Sequence, residues 1–181
     1  MSLKHALLAM LDIDKGSGYD LIKRFDQSVA FFWPSSFQQV YKELTWLEDK
    51  GFILAEAVNQ QGKPDKKIYQ VTDSGGEELQ RWLSLPAKEM KIKDTFLIKV
   101  FGGQRSTPEQ LLEDLHRQQR QHKENLASYK TIAHNLKQLS PAKFKQYALP
   151  YQTLKLGIRF EETWLEWSEE TELLLSRGDI G

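Results

Sequence analysis

Apolar residues recur at helical intervals over most of the chain and alternate in only one short region. Leu3, Leu7, Leu8 and Leu11 mark a first helix, which Gly16-Ser17-Gly18 breaks. Ser17 and Asp20 have the spacing to cap a second helix, with Leu21, Ile22, Phe25 and Val29 as its buried stripe. Phe31-Phe32-Trp33 is a dense aromatic group, expected as core and hinge packing. Pro34 cannot continue a helix, and its ring pushes Trp33 toward extended backbone. Ser36 and Gln39 then form an S-x-x-Q capping box. Phe37, Val40, Tyr41, Leu44 and Leu47 follow as one buried stripe, and Gly51 supplies a left-handed stop. Phe52 to Val58 and Lys67 to Thr72 read as two strands around a polar loop holding Gly62-Lys63-Pro64-Asp65.

Beyond the ribbon the helical period returns. Thr72 can cap a helix with Leu79, Trp82 and Leu83 on its inner side, and Leu85-Pro86-Ala87 marks a boundary. A short helix around Phe96, Leu97 and Val100 stops at Gly102-Gly103. Thr107-Pro108-Glu109-Gln110 starts a long helix reaching Leu139, on a seam of Leu111/Leu112, Leu115, Gln119, His122, Leu126, Tyr129, Ala133 and Leu136. The middle of that seam is polar, which makes it weak for a coiled coil. A short turn follows Pro141, and Pro150 begins a last helix, about Tyr151 to Leu175. That helix has two apolar stripes, Leu156, Phe160, Trp164, Trp167 and Leu154, Ile158, Leu165. One neighbour cannot cover both, so a partner subunit is expected on it, at Leu154, Ile158, Trp164 and Leu165. The expected organisation is a first domain over 1–85, a linker with a short helix over 86–106, and a helical dimerisation domain over 107–181.

Charge complicates any role in nucleic-acid binding. Lys+Arg and Asp+Glu both number 25, so the formal net charge is zero. Residues 1–85 hold 10 basic and 12 acidic side chains, so even the helix-plus-ribbon half is not basic overall. Phosphate contact depends on the local face, because charges beyond a Debye length of about 8 Å are largely screened. No apolar run is long enough to span a membrane, and the short run from Ala6 to Leu11 lacks a cleavage site, so no signal peptide is expected. Cysteine is absent, which removes disulfides, thiolate chemistry and cysteine-bound zinc and agrees with a cytoplasmic protein.

No catalytic constellation emerges. The four histidines are scattered, no H-E-x-x-H occurs, and the glycine pairs lack a phosphate-loop frame. No metal site, cofactor or enzymatic activity is expected. The surviving chemistry lies on the capped helix and the ribbon. Ser36, Gln38, Gln39 and Lys42 face outward, and an amide can both donate to and accept from adenine. Tyr41 is a candidate for phosphate contact, and Lys63, Lys66 and Lys67 cluster at the ribbon's tip and exit. A solvated polar face and an ordinary hairpin with solubilising lysines would look the same.

The combination of Pro34-Ser35, Val40-Tyr41, Leu44, Leu47-Glu48, Gly51, Lys67, Tyr69, Thr72, Gly75, Leu79 and Trp82 resembles the PadR-like family of transcriptional regulators. The runs Phe37 to Leu44 and Gly62 to Lys67 resemble its virulence-activator branch, and the region near Leu154 to Trp167 resembles the helical dimerisation region of the longer family members. The resemblance implies a mainly α protein: a winged helix-turn-helix domain with a two-stranded β wing, followed by a C-terminal helical, coiled-coil-like dimerisation domain. It also implies a homodimer on double-stranded DNA at a roughly palindromic operator, with a small-molecule effector between the domains as an option. A winged helix that binds protein instead of DNA is the competing reading, and retention on random DNA at low salt separates the two.

Overall fold

The computed structural model describes residues 3–26, 28, 32–58 and 66–177. These form eight α-helices and three short strands among the described residues: α1 (Leu3–Ile13), β1 (Gly16–Ser17), α2 (Gly18–Asp26), α3 (Phe37–Asp49), β2 (Ile53–Val58), β3 (Lys66–Val71), α4 (Asp73–Leu83), α5 (Thr95–Phe101), α6 (Pro108–Lys137), α7 (Pro141–Gln146) and α8 (Ala148–Arg177). Val29, Phe31 and the wing tip with Lys63 lie outside the described residues. The chain divides into one unit of Met1–Lys88 with Lys145–Tyr147, and a second of Glu89–Phe144 with Ala148–Gly181.

In the first unit the helical stripes converge on one core. Leu7, Leu8, Leu21, Phe25, Val40, Leu44, Leu47 and Ile53 are all buried there. Each such side chain contributes about 1.5–3 kcal/mol by leaving water. Gly51 adopts φ 69°, the left-handed conformation a helix stop needs, and the chain turns straight into β2. β2 pairs antiparallel with β3, from Ile53 opposite Val71 to Val58 opposite Lys66. β1 adds a third strand on β3's other edge, with Gly16 opposite Tyr69, so the sheet order is β1-β3-β2. The two-stranded wing is thus joined to the helix-turn-helix by a two-residue strand. Thr72 caps α4 through Gly75 N–H, 3.1 Å from its hydroxyl. A Cβ on Gly75 would sit 2.0 Å from the Phe52 carbonyl oxygen, so the start of α4 passes too close to the backbone just before β2 for any side chain.

Across this core, α1 and α4 share a polar staple. Buried His5 stacks on Trp82 at 4.5 Å, and its Nε2 lies 3.0 Å from Glu78. Lys4 and Arg81 also reach that carboxylate. The bonds from His5, Arg81 and Lys4 hold Glu78 down to about 2. Burial pushes His5 below its ordinary value. The two shifts agree if His5 is neutral with its proton on Nε2, because its buried Nδ1 has no partner among the described residues to receive a second N–H.

In the second unit, α6 and α8 pack along their length. α8 turns Leu154, Gly157, Glu161, Trp164, Ser168, Thr171 and Leu175 inward at alternating steps of three and four. Phe96 of α5 joins Leu111, Leu115, Trp164 and Leu175 in an apolar cluster, so the stretch expected as a linker carries core. The polar middle of α6 is answered by polar residues of α8. Gln119 donates to Ser168 at 3.1 Å and to Glu172 at 3.0 Å, and Asn125 donates to Glu161 at 3.3 Å. His122 bonds Glu161 and stacks on Trp164 at 3.7 Å. α8 begins at Ala148 rather than Tyr151, because Pro150 is tolerated in a first turn, where its missing N–H would have no intrahelical partner.

Candidate nucleic-acid interface

Helix α3 starts from a doubly satisfied cap. Ser36 holds extended backbone (φ −80°, ψ 156°), and its hydroxyl accepts from Gln39 N–H at 3.3 Å. In return the Gln39 side-chain oxygen accepts from Ser36 N–H at 2.9 Å. Ser35, which was not among the candidates, donates its hydroxyl to the same oxygen at 3.0 Å. Bidentate reading of adenine needs an acceptor and a donor from one amide. Its acceptor is engaged by Ser35 and Ser36, so Gln39 builds the helix start. Gln38 keeps the exposed position beside it.

Three core residues, Val40, Leu44 and Leu47, fix which way α3 faces. Gln38, Tyr41, Lys42, Thr45 and Asp49 are exposed on the other side. Phe37, expected in the buried stripe, is 61% exposed. Tyr41 lies against the start of α2: a Cβ on Gly18 would come within 2.6 Å of its ring. A side chain at position 18 would force the Tyr41 ring to move.

The wing lysines are not idle charges. Lys66 pairs with Asp20 at 3.1 Å, and Lys67 with Glu48 at 3.3 Å. Asp20 also accepts from the Ser17 hydroxyl at 2.7 Å and its N–H at 3.0 Å. Those two bonds, and then Lys66, hold it down to about 2. Both carboxylates lie far from the lysines in sequence, so spacing carried no sign of them. The fold therefore brings Ser36, Gln38, Gln39, Tyr41 and Lys42 together on α3, and ties Lys66 and Lys67 to the helices beside it. Lys63 is outside the described residues.

The four residues expected at a subunit interface divide. Leu154 and Trp164 are buried inside the unit, and Ile158 and Leu165 are half-buried. Trp164 is consumed by packing on His122 and Phe96, a correction that follows from the three-and-four spacing of α8's inner face. The large apolar residues α8 leaves exposed are Leu149, Leu156, Phe160, Leu173 and Leu174.

Known proteins share this architecture end to end. A probable transcriptional regulator of Mycobacterium tuberculosis is 32% identical over 94% of this chain and 95% of its own. Residues 7–81 match the transcriptional regulator PadR-like family, and residues 92–176 match the virulence activator alpha C-terminal family. The chain belongs to the PadR-like family of transcriptional regulators. It is a winged helix-turn-helix protein with the helical C-terminal region of the virulence-activator branch, and its relatives are regulators, not enzymes. Bacillus subtilis PadR, crystallised with operator DNA, is 27% identical, with a TM-score of 0.78 over 97% of this chain and 99% of that one. The same regulator crystallised with p-coumaric acid is 26% identical, with a TM-score of 0.68 over 96% and 94%. Within the described residues no helix is long and apolar enough to cross a membrane.

Proposed function

We propose that this family member acts as a homodimer that reads a roughly palindromic operator, one α3 per half-site. The observation that carries this is the cap. Ser36 and Gln39 satisfy each other, which stiffens the first turn and leaves Gln38 and Lys42 outward from a helix anchored by Val40, Leu44 and Leu47. The N-terminal residues of a reading helix lie nearest the base edges, and the wing with Lys66 and Lys67 stands beside it to meet phosphate. Each of those lysines has a carboxylate partner, so the face is nearly neutral at rest. Phosphate must displace Asp20 and Glu48, which keeps binding to random DNA weak and leaves discrimination to base contacts. The dimer rests on the outward stripe of α8, with Leu156 and Phe160 near its centre. This role implies a cytoplasmic site of action and needs no cofactor. Because the Bacillus relative was crystallised with p-coumaric acid, a small phenolic acid is the first effector to test.

Selection from a random duplex pool tests the proposal. Enriched sequences should contain two inverted half-sites with centres about 10–10.5 base pairs, or 34–36 Å, apart or a multiple of that. A single half-site or a direct repeat would contradict the dimer, and no enrichment would contradict sequence reading altogether.

A further inference from the structure

The first turn of α3 presents one large apolar ring to solvent. Phe37 is 61% exposed, whereas Val40, Leu44 and Leu47 are 2%, 0% and 0% exposed. Phe37 stands at the N-terminal end of that stripe, ahead of its first buried residue, Val40, and forms a column with the exposed Tyr41 one turn on. Tyr41 braces that column against Gly18 of α2. A single exposed phenylalanine is ordinary on a protein surface. This one is the first residue after the cap of the helix assigned to reading, next to Gln38.

The hydrogen-bonding chemistry of that turn is thin. Gln39 has given its carbonyl to Ser35 and Ser36. No acidic residue stands in the first turn, and the first cation along the helix is Lys42. Gln38 is left as the only amide with a free acceptor role there. Beside Gln38, the turn offers a base an apolar contact. In the major groove the base edges offer one apolar target, the thymine C5-methyl group. We infer that Phe37 reads a thymine methyl in each half-site, as a specificity contact alongside Gln38. The inference rests on the proposed DNA-reading role of α3.

The test uses the full chain and the duplex it enriches from a random pool. Each thymine is replaced in turn by deoxyuridine, which keeps the hydrogen-bonding pattern and removes only the methyl group. Binding should weaken roughly fourfold at one thymine per half-site, the weight of one buried methyl group. The effect should shrink with Phe37→Leu, which keeps a smaller apolar side chain, and vanish with Phe37→Ala. If Phe37→Ala no longer binds, the comparison of wild type with Phe37→Leu decides, and an identical deoxyuridine profile for the two overturns the inference. Tight binding that ignores every methyl group, or a methyl effect that persists in Phe37→Ala, also overturns it while leaving the DNA-reading role intact. Failure to enrich any duplex would remove both.

Discussion

His5 and Glu78 show how single residues set this protein's response to acid. Both groups titrate lower in the folded chain than in the unfolded one, so the unfolded state binds more protons as pH falls and stability drops with it. His5 begins to cost stability below its ordinary 6.5. Glu78 adds to the loss from 4.5 down to about 2, where its contribution is gone. Denaturant unfolding across this range should show Glu78→Gln with a flatter profile below pH 4.5 than wild type, and matching slopes would refute the staple's role. The paired glutamines of α3 separate in the same way. Gln39→Ala should lower stability by about 1 kcal/mol through the cap and weaken cognate and random DNA alike. Gln38→Ala should cost about 1–3 kcal/mol on the preferred site and little on random duplex. Titrations of both variants on both duplexes check this. The cap was legible in the sequence because Ser36 and Gln39 are three residues apart. The consequence for Gln39 was not, since spacing alone does not show that one oxygen serves both Ser35 and Ser36. His5 and Glu78, 73 positions apart, left no local sign at all.

Elements with a sustained period announced themselves, while those defined by partners did not. α3, α6 and the β2-β3 ribbon follow from caps, stops and alternation in their own residues. β1 is two residues long and exists only because β3 has a second edge to pair. The polar centre of α6 looked like a weak seam because its complement, Glu161, Ser168 and Glu172, lies on α8. Burying Gln119 against those groups satisfies its amide, so a polar seam packs as well as an apolar one. The wing makes an element-scale prediction. Replacing Lys63, Lys66 and Lys67 with alanine should flatten the salt dependence of DNA binding by roughly 0.9 for each lysine that meets phosphate. Because Lys66 and Lys67 already hold Asp20 and Glu48, those two changes also leave carboxylates uncompensated beside the DNA. Affinity should therefore fall on cognate and random duplex alike. A salt slope unchanged in the triple variant would remove the wing from the interface.

At the scale of the whole molecule, the proposed dimer offsets a first domain that is not basic overall. Joining two copies makes the second contact intramolecular, at an effective concentration near millimolar. An apolar surplus on the last helix was evident from its two stripes. Which residues face outward was not, because each stripe gave one residue to the core, Leu154 and Trp164, once α6 lay beside them, while Leu156 and Phe160 stayed exposed. Charge at Trp164 would damage the protomer itself, whereas Leu156→Glu with Phe160→Glu strikes exposed positions. That pair should sediment as a folded monomer with little specific binding, and a variant that remains a dimer would move the interface elsewhere. The reading helix itself is judged most directly by one ratio, the affinity for the selected duplex over that for a scrambled one. Wild type and Gln38→Ala/Lys42→Ala should differ in that ratio by roughly 5- to 150-fold, the 1–3 kcal/mol of one base contact. Binding to the scrambled duplex should fall only by what Lys42 gives to phosphate. A ratio that survives both substitutions would place sequence recognition on some other part of the fold.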